Sequence, residues 1–157
     1  MNTIYSKRAI LTGRGPRLAT ISILVLSLIT IQAIAQDKPV YKNYRGVAIG
    51  MSAEEARSKL GKAKESTDGE DYFEFSGDES ARVIYDENKY VRAISITFEG
   101  KLTGAPKSKD VLGSEIEARP DGGMYKMLQY PSEGFWVSYV KTAGDSPMVI
   151  ITLQKMG

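Results

Sequence analysis

The apolar residues of this chain change their period at Gly61. Before it, Ala53, Ala56 and Leu60 recur at i, i+3 and i+7, one stripe of a short helix. After it the period is two, in DYFEF (71–75), ARVIYD (81–86) and VRAISITF (91–98), which read as strands. In the third of these Ile94, Ile96 and Phe98 share a face, opposite Ala93, Ser95 and Thr97. That alternation belongs to an antiparallel sheet covered on one side. Ser76-Gly77-Asp78 and Asp86-Glu87-Asn88-Lys89 supply the turns. Ser52 and Glu55 form an S-x-x-E capping box before the helix, and Gly61 is expected to stop it in the left-handed region. So short a helix cannot persist without packing on something.

The same order recurs further along. Ala53, Leu60 and Gly61 match Ala105, Leu112 and Gly113 at an offset of 52, and Asp68-Gly69 and Tyr72 match Asp121-Gly122 and Tyr125 at 53. Val83 and Tyr85 match Val137 and Tyr139 at 54, and Ile96-Thr97 matches Ile151-Thr152 at 55. Offsets that grow by single steps are what one-residue loop insertions produce; chance is the competing account, because three gaps are needed. The strands of the second stretch are then MYKMLQY (124–130), FWVSYVK (135–141) and MVIITLQ (148–154), with Pro131-Ser132-Glu133-Gly134 and Ala143-Gly144-Asp145-Ser146-Pro147 between them. The expected fold is α+β: two tandem αβββ units, residues 46–101 and 102–157, whose antiparallel sheets join or stack under short helices on one face.

The run from Gly46 to Gly61, GVAIGMSAEEARSKLG, resembles the opening of the SmpA/OmlA family, the small BamE-like proteins of outer-membrane β-barrel assembly. That family's pattern is a Gly-Met and Thr/Ser helix start, a Leu-Gly stop and then a three-stranded antiparallel sheet. The tandem arrangement is similar to the β-lactamase-inhibitor-protein-like fold, which repeats such a unit and binds a partner on a concave sheet. The resemblance implies an envelope protein that works by protein binding. This chain departs from the family in having no lipidated Cys, and in Lys62 and Ser114 where Pro commonly follows Leu-Gly.

The N-terminal part has a different composition. Residues 1–35 carry Lys7, Arg8, Arg14 and Arg17 and no acid, and Leu18 to Gln36 is uncharged. The stretch closes on Ala33-Ile34-Ala35, small residues at the −3 and −1 positions of a signal-peptidase site. Residues 1–35 therefore read as a secretory signal cut between Ala35 and Gln36. The alternative is an uncleaved anchor, since nineteen uncharged residues reach across a hydrocarbon core of ~30 Å. Basic residues on the N-terminal side put the rest of the chain outside the cytoplasm in either case, periplasmic or secreted. Residues 36–45 are polar and read as a linker, with order expected from Gly46.

Losing residues 1–35 leaves 17 basic and 19 acidic side chains, a net charge of −2. An evenly mixed surface of that kind argues against nucleic acid as a partner, which needs a basic face. The chain has no Cys and no His. That removes disulfides, a thiol nucleophile, Zn–thiolate sites and the commonest general base and metal ligand. The acid-rich stretch 68–79 holds Asp68, Glu70, Asp71, Glu74, Asp78 and Glu79. Paired carboxylates could serve glycoside hydrolysis or bind Ca²⁺. However, the EF-hand spacing is missing and alternation sets Asp71 and Glu74 on opposite faces, so a solvated hairpin region is the plainer reading. Ser108-Lys109 has no oxyanion motif beside it, and Gly13-Arg14-Gly15 lies in the signal segment. No catalytic, cofactor-binding or metal-ligating residue is expected.

The aromatic residues carry the remaining signal. Tyr72, Tyr85, Tyr125 and Tyr139 fall at matching positions of the two stretches, and Trp136 lies on the face opposite Tyr139. Tyr and Trp on an open sheet face suit a protein-binding surface. Alternatively the four tyrosines face the core with their hydroxyls at its rim, which leaves Trp136, with Ser138 and Val140, on the open side. The function expected is that of an exported, non-enzymatic protein-binding or scaffold protein acting through a sheet surface. The alternative is an enzyme inhibitor or small-ligand-binding module with a concave sheet; an acid-dependent hydrolase stands third.

Overall fold

The computed structural model describes residues 38–157; the signal segment and the Ala35/Gln36 cleavage site expected from the sequence lie outside the described residues. The elements are β1 (Asn43–Tyr44), β2 (Val47–Ala48), α1 (Ala53–Leu60), β3 (Glu65–Ser66), β4 (Glu70–Ser76), β5 (Glu79–Tyr85) and β6 (Val91–Phe98). They continue with α2 (Ser108–Leu112), β7 (Met124–Tyr130), β8 (Phe135–Lys141) and β9 (Val149–Lys155). The class is α+β, a mostly antiparallel sheet with two short helices. Seven strands make one sheet in the order β3-β4-β5-β6-β9-β8-β7, and β1 with β2 makes a separate hairpin. Among the described residues no helix is long and apolar enough to cross a membrane.

The six long strands lie within two residues of the runs read from the period of two, because each run is bounded by turn residues that cannot extend the ladder. Alternation then divides the sheet. Phe73, Ala81, Val83, Ile94, Ile96, Ile151, Leu153 and Val137 are buried on the face that α1 and α2 cover. Both helices attach by small or apolar contacts, Ala53 and Ala56 from α1, Val111 and Leu112 from α2.

The α1 capping box forms as expected. The Glu55 N–H donates to Ser52 Oγ at 3.3 Å, and the Ser52 N–H donates back to Glu55 Oε2 at 3.2 Å. Gly61 ends the helix, but not in the left-handed helical region: its φ of 85° and ψ of −152° occupy ground that is essentially glycine's alone. Gly113, with φ 73° and ψ −1°, is the left-handed stop after α2.

Two expectations are corrected. Order begins well before Gly46: Pro39 and Tyr44 are buried, and Tyr41 packs against the core. A polar residue count hid this, since each tyrosine buries a ring while keeping a hydroxyl for a partner. Burial, with the Glu79 carboxylate nearby, pushes the Tyr41 hydroxyl up to about 12. Arg45 and Gly46, with φ of 48° and 81°, make the tight turn joining β1 to β2.

The second correction concerns the offsets between the two stretches. Val83 pairs with Ile94, whose counterpart at an offset of 55 is Val149, yet Val137 pairs with Leu153. The offsets of 54 and 55 therefore cannot both follow the strand register. Matching apolar residues at every second position fits several alignments equally well, because a shift by an even number keeps each side chain on its face.

Candidate functional site

The face away from the helices carries no covering element among the described residues, and strand pairing places its side chains in rows. Across the sheet from β4 to β7, one row reads Glu70, Ile84, Ala93, Gln154, Trp136, Gln129. The next reads Tyr72, Arg82, Ser95, Thr152, Ser138, Met127, and the third Glu74, Ser80, Thr97, Ile150, Val140, Tyr125. The two ends differ in chemistry. At the β4–β5 end Arg82 Nη1 pairs with Glu70 Oε1 at 3.3 Å, and Lys64 pairs with Glu74. At the β7–β9 end lie Tyr125, Met127, Trp136, Val140 and Ile150, with no charged side chain among them. Tyr125 is 52% exposed and Met127 39%, while Trp136, Val140 and Ile150 are half-buried by one another's rows.

The aromatic candidates split two and two. Tyr72 and Tyr125 stand on the open face with Trp136. Tyr85 and Tyr139 are buried beneath the helices and belong to the core instead. Each spends its hydroxyl there: Tyr85 Oη donates to Asp71 Oδ2 at 2.6 Å, and Tyr139 Oη to the Pro106 carbonyl at 3.3 Å. Alternation alone separates Trp136 from Tyr139. Which set faces water is decided by where α2 docks, and α2 docks on the face of β8 that bears Tyr139.

The acid-rich stretch is not uniformly solvated. Asp71 is wholly buried, on the covered face of β4. Its carboxylate accepts from Arg57 Nε at 2.7 Å and Arg57 Nη2 at 3.1 Å, from Tyr85 at 2.6 Å and from Ser66 Oγ. Burial by itself would raise this carboxyl, but the bonds from Arg57, Ser66 and Tyr85 outweigh it and hold the group below its ordinary value. Burial and the bond to Asp71 push the Tyr85 hydroxyl up in turn. Each oxygen of the Asp71 carboxylate accepts from two donors, so the group is engaged within the fold. A buried acid inside an acidic run is invisible to charge counting; the signal that could have found it is its place in the period of two, in phase with Phe73 and Phe75.

A second cluster ties the β1–β2 turn to the sheet. Tyr44 Oη donates to Glu79 Oε1 at 2.6 Å and Arg45 Nη2 to Glu79 Oε2 at 2.9 Å, with the guanidinium 4.1 Å from the Phe75 ring centre. Among the described residues no group of three or more Asp or Glu lies close enough to hold a metal ion. Comparison with protein-family models, with curated proteins and with solved structures finds no match to this chain.

Proposed function

We propose that this is an exported protein-binding or scaffold protein whose partner docks on the β7–β9 end of the open sheet face. The observation that supports the reading is the uncharged patch of Tyr125, Met127, Trp136, Val140 and Ile150 on a face that no helix covers. Aromatic and Met side chains at the centre of such a patch, with polar residues around it, have the composition of an interface core. The charged rows at the other end would form its rim. In this reading the chain works without chemistry of its own, in the periplasm or outside the cell, as the N-terminal composition suggests. The order of α1 with β4–β6 and of α2 with β7–β9 supports a duplicated αβββ unit, with Ile96 and Ile151 meeting at its centre.

Retention of an envelope protein by the full chain, lost on Trp136→Ala without a change in fold, is the result expected. Retention that survives Trp136→Ala, or turnover on a panel of hydrolase substrates, would replace the reading. Export has its own measurement: expressed with its leader, the chain should have the mass of a protein beginning at Gln36.

A further inference from the structure

We propose that β7 is the contact through which two copies of this chain join, antiparallel and edge to edge, about a two-fold axis through Met127. Edge strands of monomeric proteins are normally shortened, bulged, charged or interrupted by Pro. The β3–β4 edge follows that rule: β3 has two residues, the register shifts between Glu74 and Ser76, and Lys64, Glu70 and Glu74 stand along it. Strand β7 does not. It runs seven residues with no Pro, no bulge and one charge, and that charge, the Lys126 ammonium, donates to Ser114 Oγ at 2.9 Å on the covered side.

The backbone of β7 is set for a partner. The Tyr130 carbonyl turns inward to accept from the Glu133 and Gly134 N–H groups, each at 3.0 Å. By alternation the N–H and C=O of Tyr125, Met127 and Gln129 then point outward, away from β8. Among the described residues no backbone group reaches them.

The sequence of β7 selects a second copy as the occupant. With the axis through Met127, Tyr125 lies opposite Gln129 of the other copy, Lys126 opposite Leu128, and Met124 opposite Tyr130, so all seven residues pair and no like charges meet. An axis through Lys126 sets two ammonium groups face to face, and one through Leu128 runs Tyr125 onto Pro131, which has no N–H to give. In the Met127 register the outward groups of Tyr125, Met127 and Gln129 each find a donor and an acceptor. The inference shares Tyr125 and Met127 with the open-face reading, but it uses the backbone edge, and Trp136→Ala, which alters the face and not the edge, tells the two apart.

A chain without Cys makes the test clean. Directly opposed residues sit about 5.5 Å apart at Cα, within the span of a disulfide. In the full chain Met127→Cys should oxidise to a covalent dimer, and Tyr125→Cys, on the same face but far from its own copy, should not. By sedimentation the wild type and Trp136→Ala should be dimers, and Met127→Lys a folded monomer whose melting temperature no longer depends on protein concentration. A wild type that stays monomeric through the micromolar range overturns the proposal. So does Met127→Lys that remains associated, or equal crosslinking by Tyr125→Cys. A monomer that takes up a foreign strand at β7 would give the edge a different occupant and overturn it as well.

Discussion

The two halves of the sheet meet at β6 and β9 and are held in different ways. In the β3–β6 half the covered face contains a buried carboxylate, Asp71, tied to Arg57 on α1, and a second cluster joins Tyr44, Arg45 and Glu79. The open face of that half carries ion pairs. In the β7–β9 half no ion pair among the described residues has both its members, since Lys155, the one residue there that makes one, pairs with Asp86. The centre of its covered face is apolar, and its open face, though it carries Gln129, Ser138, Thr152 and Gln154, has no charged side chain. The first half commits its polar side chains to its own fold. The second leaves an uncharged face and an unprotected edge, which is where contact with another molecule would cost least desolvation.

Truncation on the two faces of β8 gives the largest effect and would sharpen the contrast. Tyr139→Ala should cost about 3–5 kcal/mol, the range for emptying a core aromatic site, in urea denaturation. Trp136→Ala, on the open side, should cost far less. Equal costs would mean that the open face is packed as tightly as the core.

Next comes Asp71→Ala, expected to cost about 3 kcal/mol because it strips a buried pair of one member. Its effect should depend on pH. A carboxyl held low in the folded chain contributes its stability in full above the unfolded value of about 3.9, and loses it as pH falls through that value toward the lower folded one. Wild type and Asp71→Ala should therefore converge in stability on acidification. A constant difference would break the claim that charge holds this half together.

The caps differ between halves in the same sense. Ser52 accepts from its helix, whereas Lys107 before α2 has no side chain that can. Ser52→Ala should lower stability by about 1 kcal/mol, and Lys107→Ala should leave the denaturation midpoint in place. Smallest of all, Arg82→Ala should stay within about 0.5 kcal/mol, its partner Glu70 being exposed enough to rehydrate. It should also leave partner retention intact; loss of retention would move the binding surface to the charged end.

Strand positions were legible because a period of two combined with turn residues leaves little freedom, and the α1 cap because Ser52 and Glu55 carry it locally. The pairing of β6 with β9 was not, since no local pattern records which strands meet across the chain. Nor was the burial of Asp71. Its partners Arg57, Ser66 and Tyr85 come from three separate elements or turns, and a charge run reads as solvated until the fold brings its donors together. The same held for Tyr41 and Tyr44, whose polar neighbours masked a segment that packs against the core.

The place of β9 bears on how the chain folds. This strand, which follows all the others in sequence, sits in the middle of the sheet, between β6 and β8. Until residues 149–155 have arrived, Ile94, Ile96 and Phe98 of β6 and Val137 and Tyr139 of β8 lie on strands with one side unpaired. Neither half can close by itself, so completion depends on contacts distant in sequence, which form slowly. A chain synthesised N-terminus first would thus stay unfinished until β9 emerged, and loss of that strand would leave two adhesive edges where the native sheet has a seam.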